Sequence, residues 1–198
     1  MEIGNSVFME YVKQSDGTFS KLPQRNVDFG GGLERITAAS IQNPDVFKLD
    51  VFTRLFAEIE KRYGLNYDAA PAERKKALRI IGDHLRAAVF LAADGVIPSN
   101  TEQGYFLRRL LRRTLYRGYK LAEGFSDLVP LTDVIIDSYQ EAYPKLSEMR
   151  ASIHNVFQAE EEKFSKTLVS GAKEFEKVAL GGAISGEAAF KLFSTYGF

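Results

Sequence analysis

The sequence contains no cysteine. That excludes disulfides and thiolate metal sites and suits a reducing compartment. Only two histidines occur, His84 and His154. His84 stands beside Asp83 and Arg86 in a helical stretch and reads as a packed or hydrogen-bonded structural residue. His154 has no acid or histidine at ligand spacing along the chain, so no metal site is expected. No apolar run approaches membrane-spanning length, and the N-terminus lacks a basic-then-apolar signal pattern. A soluble, cytoplasmic protein is the expectation. Charge is also missing in net: 26 Lys+Arg balance 26 Asp+Glu. Any nucleic-acid contact must therefore come from local clustering. There is no Walker loop, no Ser-His-Asp arrangement and no internal repeat.

What is present is a chain of 198 residues, 45% hydrophobic, enough for one large or two small domains with a core. Residues Glu2 to Val12 alternate in the β manner, Ser15-Asp16-Gly17 makes a turn, and Thr18 to Leu22 returns as a strand. A short further strand, the triplet Gly30-Gly31-Gly32 and a helix from about Leu33 follow. A lone hairpin is marginal in water, so further strands from elsewhere are expected to complete the sheet.

From Asn43 the pattern turns helical, giving a mainly α chain. Asn43-Pro44-Asp45 is a start signal for a stripe of Phe52, Leu55, Phe56, Ile59 and Tyr63, ended by Gly64. Pro71 opens the next helix, in which Leu78, Ile81, Leu85, Ala88, Val89 and Ala92 share a face up to Gly95. After the turn Pro98-Ser99-Asn100, a second helix carries Leu107, Leu110, Leu111, Thr114 and Leu115. Gly124 and Pro130 bracket a loop, and Leu131 to Tyr143 reads as a helix. One long helix is expected from Pro144 to about Leu180, with Gly171 as a candidate bend, before a short helix capped by Ser185. Glu160-Glu161-Glu162 reads as a solvated face of the long helix.

The second helix of the central pair also carries Arg108, Arg109, Arg112, Arg113, Arg117 and Lys120. Arg109, Arg113 and Arg117 fall at i, i+4, i+8, forming a ridge of guanidinium groups. Adjacent like charges destabilise a helix by a few tenths of a kcal/mol per pair. Two readings stay open from the residues alone: solvation or pairing with acids, or contact with a phosphate backbone. Arg108 and Arg112 lie nearer the apolar stripe and read as structural under either.

The run DHLRAAVFLAADGVIPSN followed by GYFLRRLLRR resembles the tRNA-recognition region of alanyl-tRNA synthetases. Asp83, His84, Arg86, Asp94, Gly95, Pro98, Ser99, Asn100, Gly104, Tyr105, Leu107, Arg108, Arg109, Arg112 and Arg113 match that pattern, with Gln103 where Arg is usual. Upstream, Gly30-x-Gly32-Leu33-Glu34-Arg35 resembles motif 3 of the class II aminoacyl-tRNA synthetases, and Glu2, Ile3, Asn5, Val7, Phe8 and Met9 match its preceding strand. Gly4 stands where Trp is usual, and Phe29 and Gly31 where Thr and Met are common.

The resemblance implies the end of a class II catalytic domain over residues 1–41 and a helical tRNA-recognition domain over 42–198. It implies Arg35 and Gly32 at ATP, and Asn5, Val7, Asp28 and Gly30 around alanine. Asn100, Arg109, Arg113, Arg117 and Ser194 would meet tRNA, with Ser194 replacing the Asp of the family's D-T-Y-G-F. Motifs 1 and 2 do not occur in the sequence. These residues are therefore expected to be an internal or split part of an alanine–tRNA ligase. They would bind the acceptor stem of alanine tRNA, without activating alanine and without holding ATP and Mg tightly. The missing N-terminal catalytic portion is the expected protein partner; neither DNA nor a membrane is. A non-catalytic helical RNA-binding or assembly module of the same ancestry is the alternative.

Overall fold

The computed structural model describes residues 2–122, 124, 127–180 and 183–196, with side chains described as far as 192. Two compact units divide the chain, Met1–Thr53 and Arg54–Phe198.

The first unit is built on an antiparallel hairpin of β1 (Gly4–Lys13) and β2 (Phe19–Gly31). Asp16 Oδ1 closes its turn, accepting from the Thr18 amide at 2.9 Å and the Thr18 hydroxyl at 2.7 Å. The two strands expected after this turn are one. The register jumps from Met9↔Asn26 to Tyr11↔Lys21, so residues 22–25 bulge out of β2. Pro23 lies in that bulge, where its missing N–H removes no ladder bond. Helix α1 (Leu33–Ser40) follows directly. Asp45 then accepts from the Phe47 amide at 3.2 Å and caps a single 3-10 turn, Val46–Lys48, so the start signal at 43–45 opens that turn before α2 (Asp50–Tyr63) begins.

The second unit is helical, as the periodicity predicts. Helices α3 (Ala72–Ala93) and α4 (Glu102–Ala122) are its central pair. Gly95 has φ +87°, and the Val96 amide donates to Leu91 O at 3.1 Å, a reversal that ends α3 and returns the chain. Leu78, Ile81, Leu85, Ala88 and Val89 of α3 and Leu107 and Leu111 of α4 are wholly buried. Helix α5 (Val129–Tyr139) starts two residues earlier than expected, because Pro130 fits the first turn, where an N–H has no partner to lose.

The long helix is broken near its start. A short α6 (Lys145–Glu148) precedes α7 (Arg150–Ala179). The amides of Leu146 and Ser147 each bond three residues back, to Tyr143 and Pro144, so the chain is wound too tightly there to run straight into α7. Helix α7 continues unbroken through Gly171 and packs on α4. Ser185 Oγ accepts from the Ala188 amide at 3.2 Å at the start of α8 (Gly186–Tyr196). Among the described residues, no helix is long and apolar enough to cross a membrane.

Candidate nucleic-acid interface

The central turn and the face of α4 form one surface. Residues 96–101 fold back so closely on α4 that Gly104 has no room for a side chain: a Cβ there would stand 2.4 Å from Ile97 O and 2.2 Å from Ser99 Oγ. The Ser99 hydroxyl donates to Thr101 O at 2.8 Å, which pins the turn locally. Arg108 reaches back from α4 and holds the same turn. Its Nη2 donates to Pro98 O at 3.1 Å, and its Nη1 donates to Asn100 Oδ1. Asn100 is thus exposed, with its amide oriented by a guanidinium rather than by a free helix end.

Below the turn, a groove of about 600 Å³ runs between α4 and α7. Asn100 stands at one end; Arg109, Arg113 and Arg117 line it with Tyr105 and Tyr116, and Phe164 of α7 forms part of its floor. Arg109 and Arg113 are exposed. Among the described residues, no carboxylate lies within ion-pairing distance of Arg109, Arg113 or Arg117. The structure therefore brings four of the five expected RNA-contacting residues onto one surface. The side chain of the fifth, Ser194, lies outside the described residues.

Arg108 and Arg112 do take the structural role expected of them, and their partner corrects the reading of the glutamate run. Glu160 is 2% exposed, not solvated. Arg112 Nε donates to its Oε1 at 2.6 Å, and Arg108 Nε lies 3.3 Å from the same oxygen, an ionic contact without hydrogen-bond geometry. The signal was present in the sequence. Ile153, Phe157, Glu160 and Phe164 follow one another at helical spacing, so Glu160 occupies a core position of α7. Arg112 also lies over the Phe164 ring, 5.2 Å from its centroid. Glu161, next to Glu160 in α7, has its carboxyl pushed above the usual range by burial and by Asp127, against the pull of the Leu128 amide and Arg62.

His154 takes its partner from a distant part of the chain. Its Nε2 lies 3.0 Å from Asp133 Oδ1, an acid 21 residues away that helix packing brings near, and Arg150 bonds the same carboxylate. Among the described residues no group of three potential metal ligands forms. His84 is hydrogen-bonded to Asp83, whose carboxyl that contact holds below its usual range.

In the first unit, the ladder pairs Asn5 with Gly30 and Val7 with Asp28. Directly opposed residues in an antiparallel pair share a face, and residues two apart along a strand do too. All four residues expected around alanine therefore lie on one face of the hairpin. Gly32 precedes α1, and its amide donates to Ile3 O at 3.0 Å. Arg35, exposed in the first turn of α1, donates from Nη1 to Glu2 O at 3.2 Å.

Comparison with known proteins covers both units of the chain. The profile of the family described as tRNA synthetases class II (A) matches residues 1–198. The chain belongs to this family. The alanine–tRNA ligase of Chlamydia trachomatis serovar L2 is 42% identical over 202 residues, covering 100% of this chain and 23% of the relative. Those of Psychrobacter sp. PRwf-1 and Hydrogenovibrio crunogenus are 39% and 38% identical, again over 100% of this chain and 22% and 23% of theirs. The synthetase chain thus spans less than a quarter of the length of these relatives.

The departures around motif 3 of this synthetase chain are one packing change. A Cβ at Gly4 would stand 3.0 Å from Phe29 Cζ, and one at Gly31 would stand 2.9 Å from Phe29 Cε1. A single large ring fills the space over two absent side chains. The opposite face, with Asn5, Val7, Asp28 and Gly30, keeps the residues that the resemblance implies.

Proposed function

We propose that residues 42–198 recognise the acceptor stem of alanine tRNA, and that residues 1–41 are the C-terminal part of the catalytic domain of an alanine–tRNA ligase. The observation that carries this reading is the groove of α4 and α7, where an oriented Asn100 stands at the head of three arginines that have no carboxylate partner among the described residues. Such guanidinium groups on one ridge suit phosphates, which position an RNA without specifying its sequence. Specificity is the task of Asn100. A G·U wobble pair leaves the guanine 2-amino group without a partner in the shallow minor groove of A-form RNA. The Asn100 carbonyl oxygen has two lone pairs; Arg108 takes one, and the other is free for that amino group.

The parent reaction joins alanine to ATP, releasing pyrophosphate. It then passes the alanyl group from the adenylate to the 3′-terminal ribose, releasing AMP. Arg35 fits a phosphate contact, since an exposed guanidinium anchored through Nη1 keeps its other donors for an anion. Asp28 suits the ammonium of alanine, on the face it shares with Asn5, Val7 and Gly30. The ATP-bound Mg would supply charge neutralisation. Residues 1–198 offer no cluster of carboxylates for it among those described, so no step is derived through the metal. By themselves they are proposed to bind RNA without activating alanine, the N-terminal catalytic portion supplying the rest.

Two measurements test this. ATP–pyrophosphate exchange should be absent with this chain alone and appear when the N-terminal half is supplied. RNA binding without such restoration favours the non-catalytic alternative. Titration with acceptor stems carrying G·U or G·C at one salt concentration should show a weak preference for G·U, because Ser194 offers a neutral hydroxyl where the family has a carboxylate. Asn100→Ala should abolish that preference and Ser194→Asp should strengthen it. A ratio unmoved by Asn100→Ala would remove Asn100 as the reader.

A further inference from the structure

A guanidinium has donors only, so an amide that faces it must present its oxygen. Arg108 therefore decides which way Asn100 is flipped, and what decides Arg108 lies on another helix. Its Nε end is 3.3 Å from Glu160 Oε1 of α7, while Nη1 and Nη2 point to Asn100 Oδ1 and Pro98 O. The contact lacks hydrogen-bond geometry, so it acts by charge: it draws the Nε edge toward α7, and because the guanidinium is planar and rigid the opposite edge then carries Nη1 and Nη2 toward the turn. Glu160 is 2% exposed, and a buried carboxylate persists only where it is paired. Arg112, donating at 2.6 Å, already supplies a hydrogen-bonded partner. The contact with Arg108 is additional, and it connects the α7 core to the 96–101 turn.

We infer that Glu160 is a positioning residue for the RNA reader, holding Arg108 so that the amide oxygen of Asn100 is presented to the minor groove. The inference rests on the proposed role of Asn100. Without the Glu160 charge, Arg108 turns toward solvent or toward the phosphates, and the Asn100 amide is free to flip. A flipped amide presents a donor to the guanine amino group, so G·U loses its advantage. Contacts of Arg109, Arg113 and Arg117 with phosphates remain.

The test is Glu160→Gln, which keeps an acceptor for Arg112 and removes the charge. Titrated with G·U and G·C stems, it should bring the affinity ratio to within about twofold of unity. Affinity for the G·C stem and the salt slope should not fall. Combining Glu160→Gln with Asn100→Ala should give the ratio of Asn100→Ala alone, since both act through one amide. If the wild type prefers G·U and Glu160→Gln keeps that preference, or weakens both stems equally, Glu160 is structural only and the inference fails while the function stands. A wild type that never prefers G·U overturns both. Should Glu160→Gln fail to fold, Arg108→Lys carries the same comparison: its single ammonium cannot bridge Glu160, Pro98 and Asn100, so a retained ratio overturns the inference.

Discussion

Residues 4–31 and residues 72–122 are both hairpins, one of strands and one of helices, and they dispose of their apolar side chains in opposite ways. In the helical hairpin, Ile81, Leu85, Val89, Leu107 and Leu111 are all 0% exposed. In the strand hairpin, Phe8 is 77% exposed, Phe29 65% and Val27 63%. Geometry accounts for much of the difference. A helix pair presents one apolar stripe per helix, and α5 and α7 close over what the pair leaves open. A two-stranded sheet presents two faces and has no second layer of its own. The arginine groove is therefore built on a core that the helical unit supplies itself, whereas the face with Asn5, Val7, Asp28 and Gly30 sits on a two-stranded sheet whose large apolar side chains stay exposed.

The largest effect expected from this contrast is in the core. Leu85→Ala should cost about 3 kcal/mol of unfolding free energy, within the range for a fully buried leucine. Phe8→Ser should change stability by less than about 0.5 kcal/mol and improve solubility, because the ring is already in water. Urea unfolding of both variants, followed at a helical signal, measures this. Equal costs would mean that the hairpin has a core of its own and would break the comparison.

The turns differ in the same sense. Gly17 in the strand hairpin has open space around its Cβ position and is needed for its φ of +86°. Gly104 is needed for space. Gly104→Ala must push the backbone oxygen of Ile97 and the Ser99 side chain outward, at about 2 kcal/mol by analogy with other overpacked sites. Since the turn carries Asn100, the G·U/G·C ratio should fall with it. Urea unfolding together with stem titration reads both; loss of stability with the ratio kept would separate the turn from recognition.

Much of this architecture was legible in the chain. The 3.6-residue periodicity of α3 and α4 is strong because each buries one clean stripe, and the 94–101 turn announces itself through Gly95 and Pro98. The ladder that aligns Asn5 with Gly30 and Val7 with Asp28 was not legible, because register depends on the bulge at 22–25. Nor was the contact of His154 with Asp133, which depends on how α5 and α7 cross. Glu160 was misjudged for a different reason. Three consecutive glutamates look alike in sequence, yet a helix turns 100° per residue, so neighbours point in different directions and one of them can fall on the core stripe. Composition could not say which; the stripe of Ile153, Phe157 and Phe164 could.

A smaller effect separates the basic residues of the two hairpins. Arg109→Ala, Arg113→Ala and Arg117→Ala should each weaken binding of G·U and G·C stems about fivefold, roughly 1 kcal/mol, and reduce the salt slope by about one contact. Arg25 in the strand hairpin is the control, since it already pairs with Glu10 at 3.2 Å. Arg25→Ala should leave RNA affinity unchanged. A ridge variant that loses thermal stability while keeping affinity would return the ridge to a structural role.

The smallest effect is electrostatic, and its sign differs between the units. In the strand hairpin, the Thr18 hydroxyl and amide hold the Asp16 carboxyl below its ordinary value. Its contribution is present above that ordinary value and is lost as the pH falls through the lowered one. In α7, burial and then Asp127 hold the Glu161 carboxyl above its ordinary value, with the Leu128 amide and Arg62 opposing. At low pH both folded and unfolded states keep the Glu161 proton, and nothing is lost. As the pH rises past the ordinary glutamate value, the unfolded state ionises first, while the folded state must ionise in a partly dry site beside another acid. Stability therefore falls through that window and stays lower at neutral pH. Glu161→Gln removes the ionisation and keeps an oxygen for the Leu128 amide. It should melt slightly above the wild type at pH 7 and together with it near pH 4. Melting curves at the two pH values decide the matter. An advantage of the same size at both would trace to packing of the amide, and a deficit at pH 7 would mean that the Glu161 charge is paired by Arg62 after all.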